Sequence, residues 1–264
     1  MRRIYTKKML IKHMLYYPLR LFPVGGVKHK ILKSILKKQN SLPMYLVAYR
    51  GDTIVQVGTP NIITMRRYSR LVSDSGRVIV IEADPDNCSK LEEYRKARKM
   101  ANVTIINKGG WSVSGVMMLA KSDHYDGDHK ICTQGVEIDN DFRTTYSNHV
   151  EIAVDTIDNM LDSIGVESVN YMAITVNGAE LEVLKGCENL ISKSDNLVVY
   201  AKGHARKGSA LTGEPLNGDI KKYLDKQGMS SVVTYGESVS AEIEGWDRRE
   251  GDVVAWKTIS GFIR

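Results

Sequence analysis

Residues 53–85, TIVQVGTPNIITMRRYSRLVSDSGRVIVIEADP, decide the fold of this chain. The run TIVQVG (53–58) is short and apolar, and a helical pattern follows it over residues 61–73. RVIVIEAD (77–84) is a nearly continuous apolar strand, of the kind that is buried on both faces of a sheet. The order strand, helix, strand predicts a parallel sheet with helices on both faces.

The same alternation continues along the chain. We predict further strands at 43–49, 102–107, 150–154, 171–176 and 196–201, and further helices at 85–100, 156–164, 179–192 and 217–227. Residues 121–149 are polar and without clear periodicity, so we interpret them as a long insertion loop. The sequence therefore predicts one α/β domain over residues 43–264, preceded by an extension.

The composition is that of a globular protein in a reducing compartment. Of the 264 residues, 42% are hydrophobic and 26% are charged, which excludes disorder throughout and a collagen-like chain. The three cysteines, Cys88, Cys132 and Cys187, form no CxxC pair. We therefore expect neither a disulfide framework nor a structural zinc site.

The positive charge is concentrated at the beginning of the chain. Lys and Arg number 37 against 31 Asp and Glu, a net charge of +6. Twelve of the basic residues precede Asp52, which is the first acid, so the rest of the chain is mildly acidic. This division disfavours a basic channel through the domain, and nucleic acid is not an expected partner.

Residues 1–42 form a basic, amphipathic extension. In VKHKILKSILKK (27–38), apolar residues recur at helical spacing between lysines. No apolar run of about 18 residues and no small-residue cleavage site is present, so we expect neither a spanning helix nor a signal peptide. Three interpretations stay open: a helix packed on the domain, a helix on an anionic membrane surface, or a segment that binds nucleic acid. The expected location is the cytoplasm, with the inner face of the membrane as its alternative.

The turn after the first strand, VQVGTPN (55–61), is the first candidate binding site. Gly58 permits close approach of a ligand, Thr59 suits an N-cap, and Pro60 suits the first helical position. The helix that follows would direct its positive end at a carboxylate or phosphate. Glu82 lies 24 positions after Gly58, at the end of the next strand, where an acid commonly binds the hydroxyls of a ribose.

Five segments in this order resemble the FkbM-type S-adenosylmethionine-dependent methyltransferases. They are VQVGTPN, VIVIEADPDNCSKLE, NVTIINKGGWS, VDTIDNML and ITVNGAELEVLKG, which together cover about residues 50–200. The resemblance implies a Rossmann-like seven-stranded methyltransferase fold whose last strand is antiparallel. It also implies S-adenosylmethionine as cofactor and methyl transfer to oxygen, often on a sugar or polyketide-like hydroxyl.

The resemblance and the strand ends together give a set of candidate site residues. For the cofactor they are Gln56, Gly58, Thr59, Asn61, Glu82, Ala83, Gly110, Trp111 and Thr175. For the acceptor they are Asn177, His124 and His149, and no metal is expected at the site.

A methyl transfer to a hydroxyl also needs a base, and we name Glu180 and His204 as candidates. Glu180 has a structural alternative as a first-turn helix acid, and Trp111 has one as a core aromatic. The loop 121–149 is interpreted as a lid that recognises the acceptor, with a metal-binding loop or a solvated loop as alternatives.

Three neutral residues stand where the family has acids. They are Gln56, Thr175 and Asn177, whereas Glu82, Glu180 and Asp158 keep their charge. Because S-adenosylmethionine carries a sulfonium and an ammonium, losing negative charge should weaken its binding. Three hypotheses follow: an O-methyltransferase acting on a glycan or lipid-linked saccharide, a non-catalytic protein of the same fold that acts as a binding or scaffold module, and an RNA methyltransferase with a basic arm.

Overall fold

The computed structural model describes residues 48–58, 61–123, 129–132, 148–202, 216–235 and 251–257. The strands are β1 (Thr53–Val57), β2 (Arg77–Glu82), β3 (Val103–Asn107), β4 (Gly109–Gly110), β5 (Gly115–Lys121), β6 (Lys130–Cys132), β7 (Asn148–Asp155), β8 (Tyr171–Ile174), β9 (Val198–Ala201), β10 (Met229–Tyr235) and β11 (Gly251–Lys257). The helices are α1 (Ile62–Val72), α2 (Pro85–Ala97), α3 (Ile157–Asp162), α4 (Glu180–Lys185), α5 (Glu188–Lys193) and α6 (Asn217–Lys226).

The main sheet has seven strands in the order β10-β11-β9-β8-β1-β2-β3. Strands β9, β8, β1, β2 and β3 pair in parallel, and β11 is antiparallel to both of its neighbours. This topology confirms the predicted Rossmann-like methyltransferase fold, including its antiparallel last strand. The strand order reverses between β1 and β8, which is where open α/β sheets bind ligands.

Alternate side chains of the central strands enter two cores, one on each face of the sheet. Val55 and Val57 of β1 pack on the face that α3, α4, α5 and α6 cover. Ile54, the residue before Val55, packs on the opposite face with Met65 and Leu71 of α1. Because both faces are covered, the strands contain nearly continuous apolar residues, as the sequence predicted.

A second, four-stranded sheet corrects the interpretation of the insertion. Its order is β4-β7-β5-β6, and it includes residues 150–154, which we expected in the main sheet. The prediction was wrong because β7 pairs antiparallel with β5, joining Ile152 to Met117. Residues 130–132 and 148–149, which were interpreted as loop, are also strand.

The expected helix over 179–192 is two helices, α4 and α5, separated at Gly186. A Cβ atom on this glycine would lie 2.2 Å from the carbonyl oxygen of Trp111, so only glycine fits. Asp158 of α3 caps the start of α5, because its carboxylate accepts the backbone N–H groups of Asn189 (2.9 Å) and Leu190 (2.8 Å). Asp158 therefore has a structural place here.

The start of α1 also differs from the prediction. Its N-cap is Asn61, whose Oδ1 accepts the N–H of Ile63 at 2.9 Å, and not Thr59. Thr59 and Pro60 lie outside the described residues, as do most of the strand predicted at 43–49 and the whole extension 1–42. Within the described part of the chain, no helix is long and apolar enough to cross a membrane.

Candidate functional site

A cleft lies at the carboxyl ends of β1, β2, β3 and β8. The main sheet and its loops line it with Gly58, Glu82, Ala83, Lys108, Thr175 and Asn177, among others. The small sheet adds Gly110, Leu119 and Ile131 to the wall, together with His129, which directly precedes β6. The cleft is therefore enclosed by the switch point of the main sheet on one side and by the small sheet on the other.

Glu82 is placed where the sequence predicted a ribose-binding acid. It ends β2, lines the cleft, and its Oε1 accepts the backbone N–H of Asp84 at 3.0 Å. Its own carbonyl oxygen accepts a hydrogen bond from Asn107 Nδ2 at 3.0 Å, which ties the ends of β2 and β3 together. A carboxylate held in this way presents a fixed acceptor to a polar ligand in the cleft.

Gly58 is required by the close approach of the two loops that follow β1 and β8. Its φ is +70°, and a Cβ atom would lie 2.6 Å from the carbonyl oxygen of Thr175. Its N–H donates to the carbonyl of Ile81 at 2.8 Å. A side chain at this position would collide with backbone and also adopt a strained conformation.

The residues Gln56, Gly58 and Thr175 form a cluster that we call the neutral clasp. Gln56 Nε2 donates to the Gly58 carbonyl (3.0 Å) and to Thr175 Oγ1 (3.2 Å), and the Thr175 hydroxyl donates to the same carbonyl. Gln56 is buried and is not among the residues that line the cleft. The clasp holds the loops after β1 and β8 together and gives this side no negative charge for an ammonium.

Asn177 lines the cleft in a left-handed conformation, with φ at +51°. Asparagine tolerates this region better than other non-glycine residues. Its Nδ2 donates to the carbonyl oxygen of His129 at 2.8 Å, so it connects the end of β8 to the small sheet. A carboxylate here would have no proton to donate to that carbonyl.

Glu180 is completely buried behind the cleft. Its carboxyl oxygens accept the N–H groups of Val176 (3.1 Å) and Gly178 (3.0 Å), and it does not line the cleft. Burial raises its pKa to about 7, although the backbone hydrogen bonds lower it. Glu180 is also the first residue of α4, the place that its structural alternative gives it, and its carboxyl fixes the backbone of the loop before the helix. A role for Glu180 as a base stays a prediction.

The structure separates the other predicted site residues into three groups. Ala83 and Gly110 line the cleft. Asn61 is exposed at the start of α1, His149 is exposed on β7, and Trp111 is buried in the core of the small sheet, as its alternative interpretation proposed. None of these three is among the lining residues. Thr59, His124 and His204 lie outside the described residues.

Four polar residues around the cleft were missing from the predicted site: Asp84, Lys108, Lys121 and His129. Lys108 Nζ lies 2.9 Å from Asp155, and His129 Nε2 lies 2.8 Å from Asp84. The residues of each pair are 45 or more positions apart in the sequence. Local sequence patterns therefore do not reveal these contacts. The one available signal was the polar segment HYDGDHK (124–130), which contains His129.

The cleft fits the nucleoside half of S-adenosylmethionine better than its amino-acid half. Glu82 supplies an acid at the strand end where the sequence predicts ribose binding, and Gly58 and Gly110 bring backbone to the wall. On the other side, the neutral clasp contains two of the residues that stand where the resemblance to the family implies acids, so it offers an ammonium no charged partner. The residues present would therefore hold the cofactor mainly through its adenosine.

Comparison with known proteins gives one family. The model of the family described as the methyltransferase FkbM domain matches residues 48–230. No curated protein matches the chain.

Solved structures resemble the chain at low sequence identity. A putative rRNA methylase from Clostridium thermocellum is 11% identical, covers 90% of this chain and 99% of its own, and has a TM-score of 0.47. Aeropyrum pernix fibrillarin with bound S-adenosyl-L-methionine is 13% identical, with coverages of 86% and 74% and a TM-score of 0.46. An O-methyltransferase from Bacillus cereus in complex with SAH is 12% identical, with coverages of 97% and 92% and a TM-score of 0.45.

Proposed function

Since this chain belongs to the FkbM methyltransferase family, we propose that it transfers a methyl group from S-adenosylmethionine to a sugar hydroxyl of a glycan or lipid-linked saccharide. The observation that carries the proposal is Glu82, a buried acid that lines the cleft at the strand end next to the Gly58 turn. This is the position at which doubly wound sheets bind the ribose of a nucleotide cofactor.

The residues of the cleft would have different roles in such a transfer. Glu82 would accept hydrogen bonds from the ribose hydroxyls, and Gly58 and Gly110 would let the backbone approach the nucleoside. When bound, S-adenosylmethionine supplies an electrophilic methyl group. Leu119 and Ile131 of the small sheet would exclude water from the reacting groups.

The acceptor hydroxyl must lose its proton when its oxygen attacks. Glu180 and His204 are our proposed bases, and Asn177 lies at the cleft where an acceptor could meet it. A pKa of about 7 would suit Glu180 for this task, but its carboxyl would first have to leave the N–H groups of Val176 and Gly178. His149, being exposed on β7, would contact only the outer part of a large acceptor. His124 stays a predicted acceptor contact.

We also propose that residues 1–42 bring the domain to an anionic membrane surface on the cytoplasmic side. The support is the sequence pattern alone: lysines alternate with apolar residues at helical spacing, and no acid occurs before Asp52. A lipid-linked acceptor would be presented at such a surface.

Binding of the cofactor tests the proposal before any acceptor is known. Isothermal titration of S-adenosylmethionine into the wild type should give a micromolar dissociation constant. Glu82→Ala should weaken it by about tenfold or more, equal to about 1.4 kcal/mol. Absence of binding at millimolar cofactor, by protein that is folded, would contradict the proposal. Transfer of labelled methyl to a cell-envelope glycan fraction then tests the acceptor class.

A non-catalytic binding or scaffold protein is the second candidate, and the neutral clasp is the observation that favours it. Substituting Gln56→Asp together with Thr175→Ser keeps a hydroxyl donor for the Gly58 carbonyl and adds one acid. A degenerate pocket should gain affinity for S-adenosylmethionine from this change, whereas an adapted enzyme should gain none and lose transfer activity. Thr175→Ser alone is the control for the altered side-chain volume.

A further inference from the structure

A chain of four polar residues crosses the cleft from the end of β2 to the end of β8. We call Glu82, Asp84, His129 and Asn177 the cleft-spanning chain. The Asp84 N–H donates to Glu82 Oε1 at 3.0 Å, His129 Nε2 lies 2.8 Å from Asp84 Oδ2, and Asn177 Nδ2 donates to the His129 carbonyl at 2.8 Å. Three of the four residues line the cleft, and Asp84 lies directly behind Glu82.

The His129 ring lies between Ser122 and Asp84. Its Nδ1 accepts the backbone N–H of Ser122 at 2.9 Å, which assigns the ring proton to Nε2. Nε2 lies 2.8 Å from Asp84 Oδ2, although the two groups are not aligned for a hydrogen bond. The side chains of Asp84 and His129 are 2% and 8% exposed, so this contact is shielded from solvent.

Asp84 also contacts β5 of the small sheet. Lys121, the last residue of β5, places Nζ 3.1 Å from Asp84 Oδ1, and the N–H of Asp86 donates to the same oxygen at 3.0 Å. Burial raises the pKa of Asp84, but the contacts with His129, Asp86 and Lys121 outweigh it and bring the pKa to about 2. One charged carboxylate therefore fastens residues on either side of the β5–β6 connection to the end of β2.

We propose that Asp84 is a positioning residue that fastens the small sheet over the cleft and, through His129, sets the place of Asn177. The consequence is that the ribose side and the acceptor side of the cleft move as one unit. The inference rests on the proposed function for what the cleft binds, but the fastening itself needs no cofactor. It can therefore fail or stand independently of the proposed function.

Amide hydrogen exchange on the ligand-free, full chain tests the fastening. Asp84→Asn should accelerate exchange about tenfold in β6 and in residues 176–178, because the charged contact to His129 is lost. Glu93→Gln is the matched control, since it removes an exposed acid from the same helix, and it should change these amides by less than about threefold. Equal rates in Asp84→Asn and Glu93→Gln would overturn the proposal.

A second comparison separates fastening from general loss of stability. Leu91 is fully buried on α2, so Leu91→Ala should speed exchange in both cores without selecting the small sheet. If it reproduces the local pattern of Asp84→Asn, the proposal is wrong. Should Asp84→Asn not fold, His129→Phe removes the ring contacts and keeps the carbonyl for Asn177, and it should accelerate the same amides.

Binding kinetics then test the positioning role. Asp84→Asn should raise the dissociation rate of S-adenosylhomocysteine about tenfold, whereas the control Glu93→Gln should leave it within about twofold. An unchanged dissociation rate in Asp84→Asn would overturn the positioning role. If the wild type does not bind this ligand at all, the proposed function fails, and the exchange experiment still decides whether Asp84 fastens the small sheet.

Discussion

The two sides of the cleft hold their loops by different chemistry. At the end of β2, Glu82 and Asp84 are buried acids with backbone and side-chain donors around them. At the ends of β1 and β8, the neutral clasp joins Gln56, Gly58 and Thr175 without a formal charge. The cleft therefore has a charged side at the end of β2 and a neutral side at the ends of β1 and β8, and we propose that cofactor affinity comes mainly from the β2 side.

The largest loss of stability should come from a substitution at Gly58, on the neutral side of the cleft. Gly58→Ala would place Cβ 2.6 Å from the Thr175 carbonyl oxygen at a φ of +70°, so we expect a loss of about 3 kcal/mol or more in the free energy of unfolding. Gly218→Ala is the control, since nothing lies within 4 Å of its Cβ position. It should be neutral or stabilising in urea denaturation, and equal losses in both variants would contradict this account.

The next largest effect should be a pH dependence of the free energy of unfolding, which Glu180 causes from its place behind the neutral side of the cleft. Its pKa is raised from 4.5 to about 7, so the folded state retains a proton that the unfolded state releases between these values. Stability should therefore fall as the pH rises from about 4.5 to about 7, by an amount on the order of 2–3 kcal/mol, and stay level above it. Glu180→Gln should remove the difference in urea denaturation between pH 5 and pH 8. A slope that survives in the variant would assign it to another group.

A smaller loss of stability should follow from placing a charge at Asn177, the residue that we propose for the acceptor. Asn177→Glu loses the donor to the His129 carbonyl and places a longer side chain at a φ of +51°. We expect a cost of about 1–3 kcal/mol in the free energy of unfolding. Asn177→Gly keeps the backbone conformation and loses only the hydrogen bond, so it should cost less than Asn177→Glu in the same measurement. The reverse order would show that the conformation does not matter.

The smallest effect should come from the Thr175 hydroxyl. Thr175→Val keeps the shape of the side chain and removes one donor to the Gly58 carbonyl and one acceptor for Gln56. A loss of about 1 kcal/mol is expected, and Thr175→Ser should recover most of it. If Thr175→Val is as stable as the wild type, the clasp contributes nothing to holding the two loops.

The charged side was easier to predict from the sequence than the neutral side. Glu82 follows a long apolar strand after a glycine turn, and both signals are local. Gln56 and Thr175 were recognised as departures from the family, but their hydrogen bond joins residues 119 positions apart. Only the parallel pairing of β1 with β8 brings them together.

The small sheet could not be predicted for a related reason. Its strands β5 and β7 pair across more than 25 intervening residues, and β6 has only three residues. The apolar residues of β5 and β7 alternate only in part, so their period is too weak to assign a strand pairing. The contacts of Asp84 with His129 and Lys121 depend on that pairing, and they became visible only with it.

We propose that the β2 side carries cofactor binding and that the neutral clasp contributes little affinity for the amino-acid end of the cofactor. The most direct test compares the affinities of S-adenosylhomocysteine and 5′-methylthioadenosine, which lacks the amino-acid end, by isothermal titration. We predict micromolar dissociation constants that differ by less than about tenfold, or about 1.4 kcal/mol. A preference of a hundredfold or more for S-adenosylhomocysteine, or binding of neither ligand at millimolar concentration, would contradict the claim.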